Sequence, residues 1–416
     1  MKVDSMTMLQ GFKKTDELKV MRDPVHGYIN VSYQVIWDLI GTPEFQRLRR
    51  IHQLGGTLQV YHTAEHSRFG HSLGVYEITR LMIENVQDLK ETISELEQVA
   101  LLCAALLHDV GHGPFSHAFE SVTSVNHEIM TDRIILEDTG VHEVLKAVGD
   151  GFPQMVADII AHRHENAILA QIISSQLDAD RMDYLLRDSY FTGVSYGEFD
   201  LHRILRTLRV VNNTLAIKDS GIHAVEDYIM ARYQMYWQVY LHPVSRSYEA
   251  ILLAIFKRMK DLMDENPDIL IKAPVFIPVL ENGEIDIHSY LYLDEPTCIA
   301  GFKALMTSGD DILSDLTRRL LNRDLFEYHD TSDKKRIKEI QKALKAQGYD
   351  TRYYYQSDHL IQSLYKPYKA NENASVWILK GNKLQELSTA SIIVRGFVKS
   401  EEKEDAKVFF PKELKL

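Results

Sequence analysis

Cysteine is scarce in this sequence: only Cys103 and Cys298 stand among 416 residues. Two thiols cannot build a disulfide framework, which fits a reducing cytoplasm. Long hydrophobic runs are missing as well. Stretches such as Ile251–Phe256 are far too short to span a bilayer. The Lys- and Asp-studded N-terminus lacks the apolar stretch of a signal peptide. Positive charge is in the minority, with 47 Lys and Arg against 59 Asp and Glu and a net charge of -12. That balance argues against a surface devoted to nucleic acid. A small polyanion stays compatible, provided basic residues gather at one site and metal ions offset the rest. No internal repeat, heptad series or low-complexity linker stands out. The expectation is a soluble, cytoplasmic chain with no membrane partner, long enough for two structural regions.

Helical patterning dominates what is present. Residues 16–32 read as short extended pieces around a turn marked by Pro24 and Gly27. Thr42 and Pro43 form a cap and first-turn signal opening PEFQRLRRIHQL. Arg68–Asn85, Glu91–Asp109 and His127–Leu136 carry apolar residues at three-to-four spacing, as do Pro153–His162, Glu165–Ser174 and Asp178–Asp188. Val210–Lys218 resembles a hairpin around Asn-Asn. A long helical pattern from Val225 to about Met263 should break at Pro243. After Asn266-Pro267 the composition changes, and β-prone stretches appear at Thr351–Tyr355, Ser375–Leu379 and Ser391–Phe397. The Lys/Glu-rich segment from Lys399 to Lys407 reads as solvated surface.

The most informative segment is LLCAALLHDVGHGPFSHAFE, residues 101–120. An apolar helix ends in adjacent His108 and Asp109, able to offer an imidazole nitrogen and a carboxylate oxygen to one ion. That N/O mixture suits Mn, Mg, Fe or Zn rather than a thiolate-type structural site. Alone, the pair also reads as a helix end with a capping aspartate. Its context is richer. AEHSRFGHSLGV (64–75) brings His66, Arg68 and His71 to the start of another helix, and LDADRMDYLLRD (177–188) brings Asp178, Asp180, Asp183 and Asp188. An H…HD…D set has the ligand count for a divalent ion with open positions for water and phosphate oxygens. Drawing it from separate helices is a standard way to build a site inside a bundle.

These segments resemble the HD-domain deoxynucleoside triphosphate (dNTP) triphosphohydrolases, especially the branch with the vertebrate SAM-and-HD-domain enzyme and its bacterial relatives. The matching text is RDPVHGYI (22–29), TPEFQRLRRIHQLGG (42–56), HSRFGHSLGV (66–75), LLHDVGHGPFSH (106–117), NHE (126–128), DADRMDYLLRD (178–188) and the series Arg232, Tyr240, His242. The resemblance implies a mainly α fold: an HD core over residues 1–265, with a regulatory segment at about 16–50, then a smaller mixed α+β region over 266–416 with an assembly role. It implies metal ligation by His71, His108, Asp109 and Asp180. His112, His117 and His127 would surround the triphosphate, with His117 as general acid and Glu120 and Glu128 orienting its imidazole. Arg68, Arg181 and Arg232 would hold phosphate oxygens, with Arg181 standing where a lysine is common. Tyr184 and Tyr240 would line the sugar, Gln53 and Asp188 would bond its 3′-hydroxyl, and Leu54 would pack against C2′.

The resemblance further implies a nucleotide effector that assembles a tetramer, with Lys19, Val20, Gln46 and Arg49 at one effector site and Arg203 and Lys218 at a neighbouring one. Gly41 stands where the family has an aspartate that reads guanine, and Arg22 replaces an asparagine, so guanine selectivity is not carried over. The expected reaction is metal-dependent hydrolysis of a dNTP to deoxynucleoside and inorganic triphosphate. Two alternatives stay open: another HD phosphohydrolase (phosphodiesterase or nucleotidase), and a nucleotide sensor without turnover.

Overall fold

The chain begins with the antiparallel strands β1 (Lys14–Asp23) and β2 (Gly27–Tyr33), then turns helical. The computed structural model describes residues 13–115, 119–120, 125–281, 284–362, 375–399 and 403–416. Thr42 accepts from the Phe45 amide at 3.4 Å to cap the second helix, with Pro43 at its first position. The helices are α1 (Gln34–Gly41), α2 (Pro43–Arg47), α3 (Arg68–Asn85), α4 (Gln87–Thr92) and α5 (Glu95–Leu107). The break between α4 and α5 falls at Ser94, whose hydroxyl and Glu97 form a reciprocal capping box. Apolar periodicity alone runs through this break without marking it. Helix α5 is buried all round from Val99 to Leu107, so it is the axis the others pack on.

Around it lie α6 (His127–Leu136), α7 (Gly140–Lys146), α8 (Phe152–Ile160), α9 (Ala167–Ile173) and α10 (Ala179–Thr192). Then come α11 (Leu201–Thr207) and the hairpin β3 (Leu208–Val211) and β4 (Thr214–Lys218). Asn212 and Asn213 both have positive φ, 51° and 59°, as a two-residue hairpin turn requires. Helix α12 (Ile222–Met235) continues into a π-helical turn, Tyr236–Tyr240. Pro243 then starts α13 (Pro243–Glu265), so the proline interrupts the pattern by opening a new helix.

Beyond α13 short helices mix with strands β5 (Glu327–Asp330), β6 (Gln356–Gln362), β7 (Trp377–Lys380), β8 (Lys383–Glu386) and β9 (Lys403–Phe410). Strand β7 pairs in parallel with β4, extending the sheet of the first hairpin to the order β3-β4-β7-β8. Three expectations fail here. Ser391 caps a helix, Ile392–Lys399, by accepting from the Val394 amide at 3.0 Å, where an extended stretch was expected. Residues 351–354 form a turn, and the strand starts only at Gln356. Within the segment read as solvated surface, Lys399 ends the helix that Ser391 caps and residues 403–407 belong to β9, the central strand between β5 and β6. Lys407 is buried there and paired with Asp405 at 2.7 Å and with Asp330. Among the described residues no helix is long and apolar enough to cross a membrane.

The later region also braces the turn after α5. Tyr290 donates its hydroxyl to the Gly111 carbonyl at 2.6 Å. Arg47, almost fully buried, bridges the carbonyls of Leu293 and His112 at 2.8 Å each. Gly111 has no room for more: a Cβ there would lie 2.3 Å from both His127 O and Thr131 N. Backbone atoms cannot step aside cheaply. Gly111→Ala should therefore lower unfolding stability by about 1–3 kcal/mol, whereas Gly149→Ala, with nothing within 4 Å, should change it by no more than ~0.5 kcal/mol. Urea unfolding of both variants checks this, and equal midpoints would contradict it.

Candidate metal centre and phosphate site

His71 lies in the first turn of α3, His108 caps the end of α5, and Asp180 lies in the first turn of α10. Each imidazole is held through one nitrogen. His71 Nδ1 bonds to Asp183 Oδ2 at 2.8 Å, and His108 Nδ1 bonds to the Ala105 carbonyl at 2.9 Å. That leaves both Nε2 atoms facing inward, and both are buried without a hydrogen-bond partner. The rings meet edge to face with centroids 5.2 Å apart. Asp180 Oδ1 lies 3.1 Å from His71 Nε2 and 3.8 Å from His108 Nε2. His71, His108 and Asp180 thus offer three ligand atoms within 4.8 Å of one another.

Asp109 stands beside them, with Oδ1 3.4 Å from His108 Nε2 and Oδ2 3.8 Å from His71 Nε2. The same Oδ2 accepts from Arg68, so Asp109 is shared between the centre and a cation. Buried polar atoms are rarely left unpaired, and an oxygen and nitrogen donor set suits a divalent ion. Electrostatics agrees. Burial opposes charge on His71, but the carboxylates of Asp180 and Asp183 outweigh it and push its pKa up to about 10. Burial likewise opposes charge on Asp109, yet Arg68, His108 and His112 hold its carboxyl well below the usual range. The pocket calls for positive charge.

A second group adjoins the first. His112 Nε2 lies 3.3 Å from Asp109 Oδ1, and its ring stacks on His127 with centroids 4.0 Å apart. His127 Nδ1 meets Glu120 Oε1 at 2.6 Å. Burial and the Arg68 charge push His112 down to about 3, so it is a neutral imidazole at neutral pH. Burial opposes charge on His127, but Glu120 outweighs it and raises the pKa. His117 lies outside the described residues. Glu120, expected to orient His117, places one oxygen on His127, and Glu128 is exposed in the first turn of α6.

The expected phosphate and sugar residues lie around α10 and α12. Arg181 pairs with Asp178 at 3.2 Å, and Arg232 donates to Gln176 at 2.6 Å. Both guanidiniums act electrostatically on Tyr184. The Tyr184 ring meets Tyr240 edge to face with centroids 6.1 Å apart. Tyr240, at the end of the π-helical turn, donates to Asp188 Oδ2 at 2.7 Å, and His66 holds Asp188 Oδ1 at 2.8 Å. Gln53 has a buried side-chain oxygen without a partner, with Leu54 next to it half-buried. A cavity of about 610 Å³ opens elsewhere, lined by Asn85, His202, Arg206 and Arg209 among others, and shares no residue with this site.

The expected effector residues fall into separate groups. Lys19 and Val20 lie on β1, with Lys19 paired to Glu17 at 2.8 Å. Gln46 donates to the Ile40 carbonyl at 2.7 Å, next to Gly41, and accepts from Arg49 at 2.9 Å. The Arg49 guanidinium stacks 3.5 Å over the Phe69 ring. Arg203 reaches the Ser220 carbonyl at 2.5 Å, two residues past Lys218 at the end of β4.

Some functional side chains escaped sequence reasoning. Asp183 was visible as an acid in α10 but had no assigned role, and His26 and Glu295 had none either. Glu295 accepts from the amides of His52 at 3.0 Å and Phe115 at 3.3 Å, steadying the Gln53 loop against the turn after α5. The available signal for Asp183 was its place one helical turn after Asp180. For Glu295 there was none, because it is distant in sequence.

A helical bundle in which His, His-Asp and Asp converge from separate helices defines the HD-domain class. The chain matches the HD domain over residues 68–188 and an HD-associated region over 199–273. It belongs to the HD-domain phosphohydrolase family and is similar over part of its length to SAMHD1 and its homologues. It is 48% identical over 408 residues to the uncharacterized protein YwfO of Bacillus subtilis, covering 96% of this chain and 94% of that one. It is 32% identical over 256 residues to the deoxynucleoside triphosphate triphosphohydrolase SAMHD1 homolog of Dictyostelium discoideum, covering 57% of this chain and 49% of that relative. The crystal structure of a phosphohydrolase from Bacteroides thetaiotaomicron superposes with a TM-score of 0.83 at 29% identity, covering 95% of this chain and all of that one.

The Glu120–His127 pair gives a pH prediction. Because the folded pKa of His127 is raised, the pair adds stability that is fully present below the ordinary imidazole value of about 6.5 and fades as pH rises through the raised value. NMR titration of metal-free protein should show the His127 resonance titrating above that value, and Glu120→Gln should bring it down. An unchanged midpoint would contradict the assignment.

Proposed function

We propose that the chain is a metal-dependent dNTP triphosphohydrolase, releasing deoxynucleoside and inorganic triphosphate. The observation that carries this reading is the pair of buried Nε2 atoms of His71 and His108, neither in a well-aligned hydrogen bond, facing Asp180 beside a cationic cradle. His71, His108, Asp109 and Asp180 would hold the ion. When bound, a divalent cation supplies Lewis-acid polarisation of phosphoryl oxygens and lowers the pKa of a bound water. The ion's identity among Mn, Mg, Fe and Zn is left open by an N/O donor set.

The side chains divide the remaining work. Arg68, Arg181 and Arg232 neutralise the triphosphate and fix its orientation. His112, kept neutral, offers a hydrogen bond without adding charge. His127, held by Glu120, is drawn toward its protonated form next to it. Water attacks the α-phosphorus, the bond to the 5′ oxygen breaks, and that oxygen takes a proton, the role we give His117. Gln53, with an unsatisfied oxygen, and Asp188, held by His66 and Tyr240, face the 3′-hydroxyl. Tyr184, Tyr240 and Leu54 enclose the sugar and disfavour a 2′-hydroxyl.

Lys19, Val20, Gln46 and Arg49, and separately Arg203 and Lys218, are the proposed effector contacts, with a homotetramer as the active assembly in the cytoplasm. The expected division into an HD core over 1–265 and an assembly region over 266–416 belongs to the same proposal.

Purified protein should be incubated with Mn²⁺ or Mg²⁺ and each dNTP, singly and in pairs. The reading expects inorganic triphosphate, its loss on chelation, and a drop of about 100-fold or more for His108→Ala or Asp180→Ala. Stimulation of one dNTP's hydrolysis by another would support effector control. No triphosphate under any pairing, with orthophosphate released from a monophosphate instead, would replace this reading with that of a nucleotidase.

A further inference from the structure

His71 is held by a carboxylate that no ligand reading uses. Asp183, fully buried in α10, takes His71 Nδ1 on Oδ2 at 2.8 Å and His26 Nε2 on Oδ1 at 2.6 Å. Arg187 donates to both oxygens at 2.9 Å. The carboxylate therefore has its acceptor sites engaged, and several of those bonds are charge-assisted. His26 itself is fixed in the turn between β1 and β2. Asp23 Oδ1 accepts from the amides of Val25 and His26 at 2.9 Å, and Asp23 Oδ2 accepts from Arg187 at 2.9 Å. Asp23, Arg187, Asp183 and His26 thus close a ring of hydrogen bonds, and His71 hangs from it.

We propose that His26 and Asp183 are positioning residues that aim His71 Nε2 at the metal, so that the turn of the N-terminal hairpin sets the metal affinity of the centre. This rests on the metal reading of the site given above. An imidazole donating to a carboxylate has its ring orientation fixed and its other nitrogen made more basic toward a cation. The two histidines differ in this respect. His108 uses a carbonyl of its own helix, so local structure orients it. His71 depends on groups from two distant segments. Helix α3 is shaped to admit them: a Cβ at Gly74, one turn after His71, would lie 1.8 Å from Asp183 Oδ1 and 2.5 Å from Arg187 Nη2. Strand β1, which leads into the turn, also carries Lys19 and Val20. A shift of this strand is thereby coupled to the metal centre.

The test is Mn²⁺ binding, measured by calorimetry or by electron paramagnetic resonance on the full chain. Wild type should bind, and His71→Ala should lose binding. His26→Ala should weaken Mn²⁺ affinity by about 10-fold, the low end of what supporting residues contribute, because it acts through Asp183. His26→Gln, which keeps a donor toward Asp183, should recover most of that loss. Turnover by His26→Ala should fall at limiting Mn²⁺ and return when Mn²⁺ is raised, which a general loss of structure would not show. If His26→Ala does not fold, His26→Asn, too short to reach Asp183, takes its place. Wild-type Mn²⁺ affinity in a folded His26→Ala or His26→Asn protein would overturn the relay while leaving the metal reading intact. Wild-type affinity in His71→Ala would overturn both.

Discussion

Two buried imidazole nitrogens that form no well-aligned hydrogen bond set the terms for the rest of this structure. Burying a polar atom without a partner is costly, and here two such atoms face one point from separate helices, with carboxylates 3.1 to 3.8 Å away. The surroundings keep them so. One nitrogen of each ring is committed elsewhere, Gly111 and Gly74 remove bulk where chain segments crowd together, and α5 is buried enough to act as a fixed reference. A cation would satisfy both nitrogens at once.

Charge is arranged to the same end. The chain carries a net charge of -12, yet the arginines near this site are concentrated against the negative groups. Arg68 shares Asp109 with the centre, and Arg181 and Arg232 flank Tyr184. The neighbouring histidines are tuned in opposite directions: His112 is forced neutral by burial and Arg68, and His127 is drawn toward its charged form by Glu120 despite burial. Such divergent environments let chemically identical side chains take different roles. The later region contributes as well, since Arg47, Tyr290, Leu293 and Glu295 hold the turn on which His112 sits. The metal centre and the later helices therefore belong to one mechanical unit at this point.

Much of the site was legible because its residues lie in short, locally coherent segments. His71, His108, Asp109 and Asp180 each begin or end a helix with strong apolar periodicity, and the structure brings all of them together. The Asn-Asn hairpin, the Pro43 helix start and the interruption at Pro243 were equally readable, since turn and cap chemistry is local. What escaped reading depends on partners far along the chain. Asp183 looks like any helical acid until His26 arrives from 157 residues away, and Glu295 matters only because it folds back onto His52 and Phe115. Residues 403–407 of the Lys/Glu-rich segment are similar: they look solvated, but the pairing of β9 with two neighbours buries Lys407 beside Asp405 and Asp330. The helix at Ile392–Lys399 was misread because β-branched residues outweighed the single cap signal at Ser391.

The most direct measurement is a crystal structure of protein grown with Mn²⁺, with anomalous scattering collected at the manganese edge. The account predicts one strong peak at about 2 Å from His71 Nε2, His108 Nε2 and an Asp180 oxygen. A peak on the His112, Glu120 and His127 group instead, or no peak while the two Nε2 atoms still face each other, would contradict it.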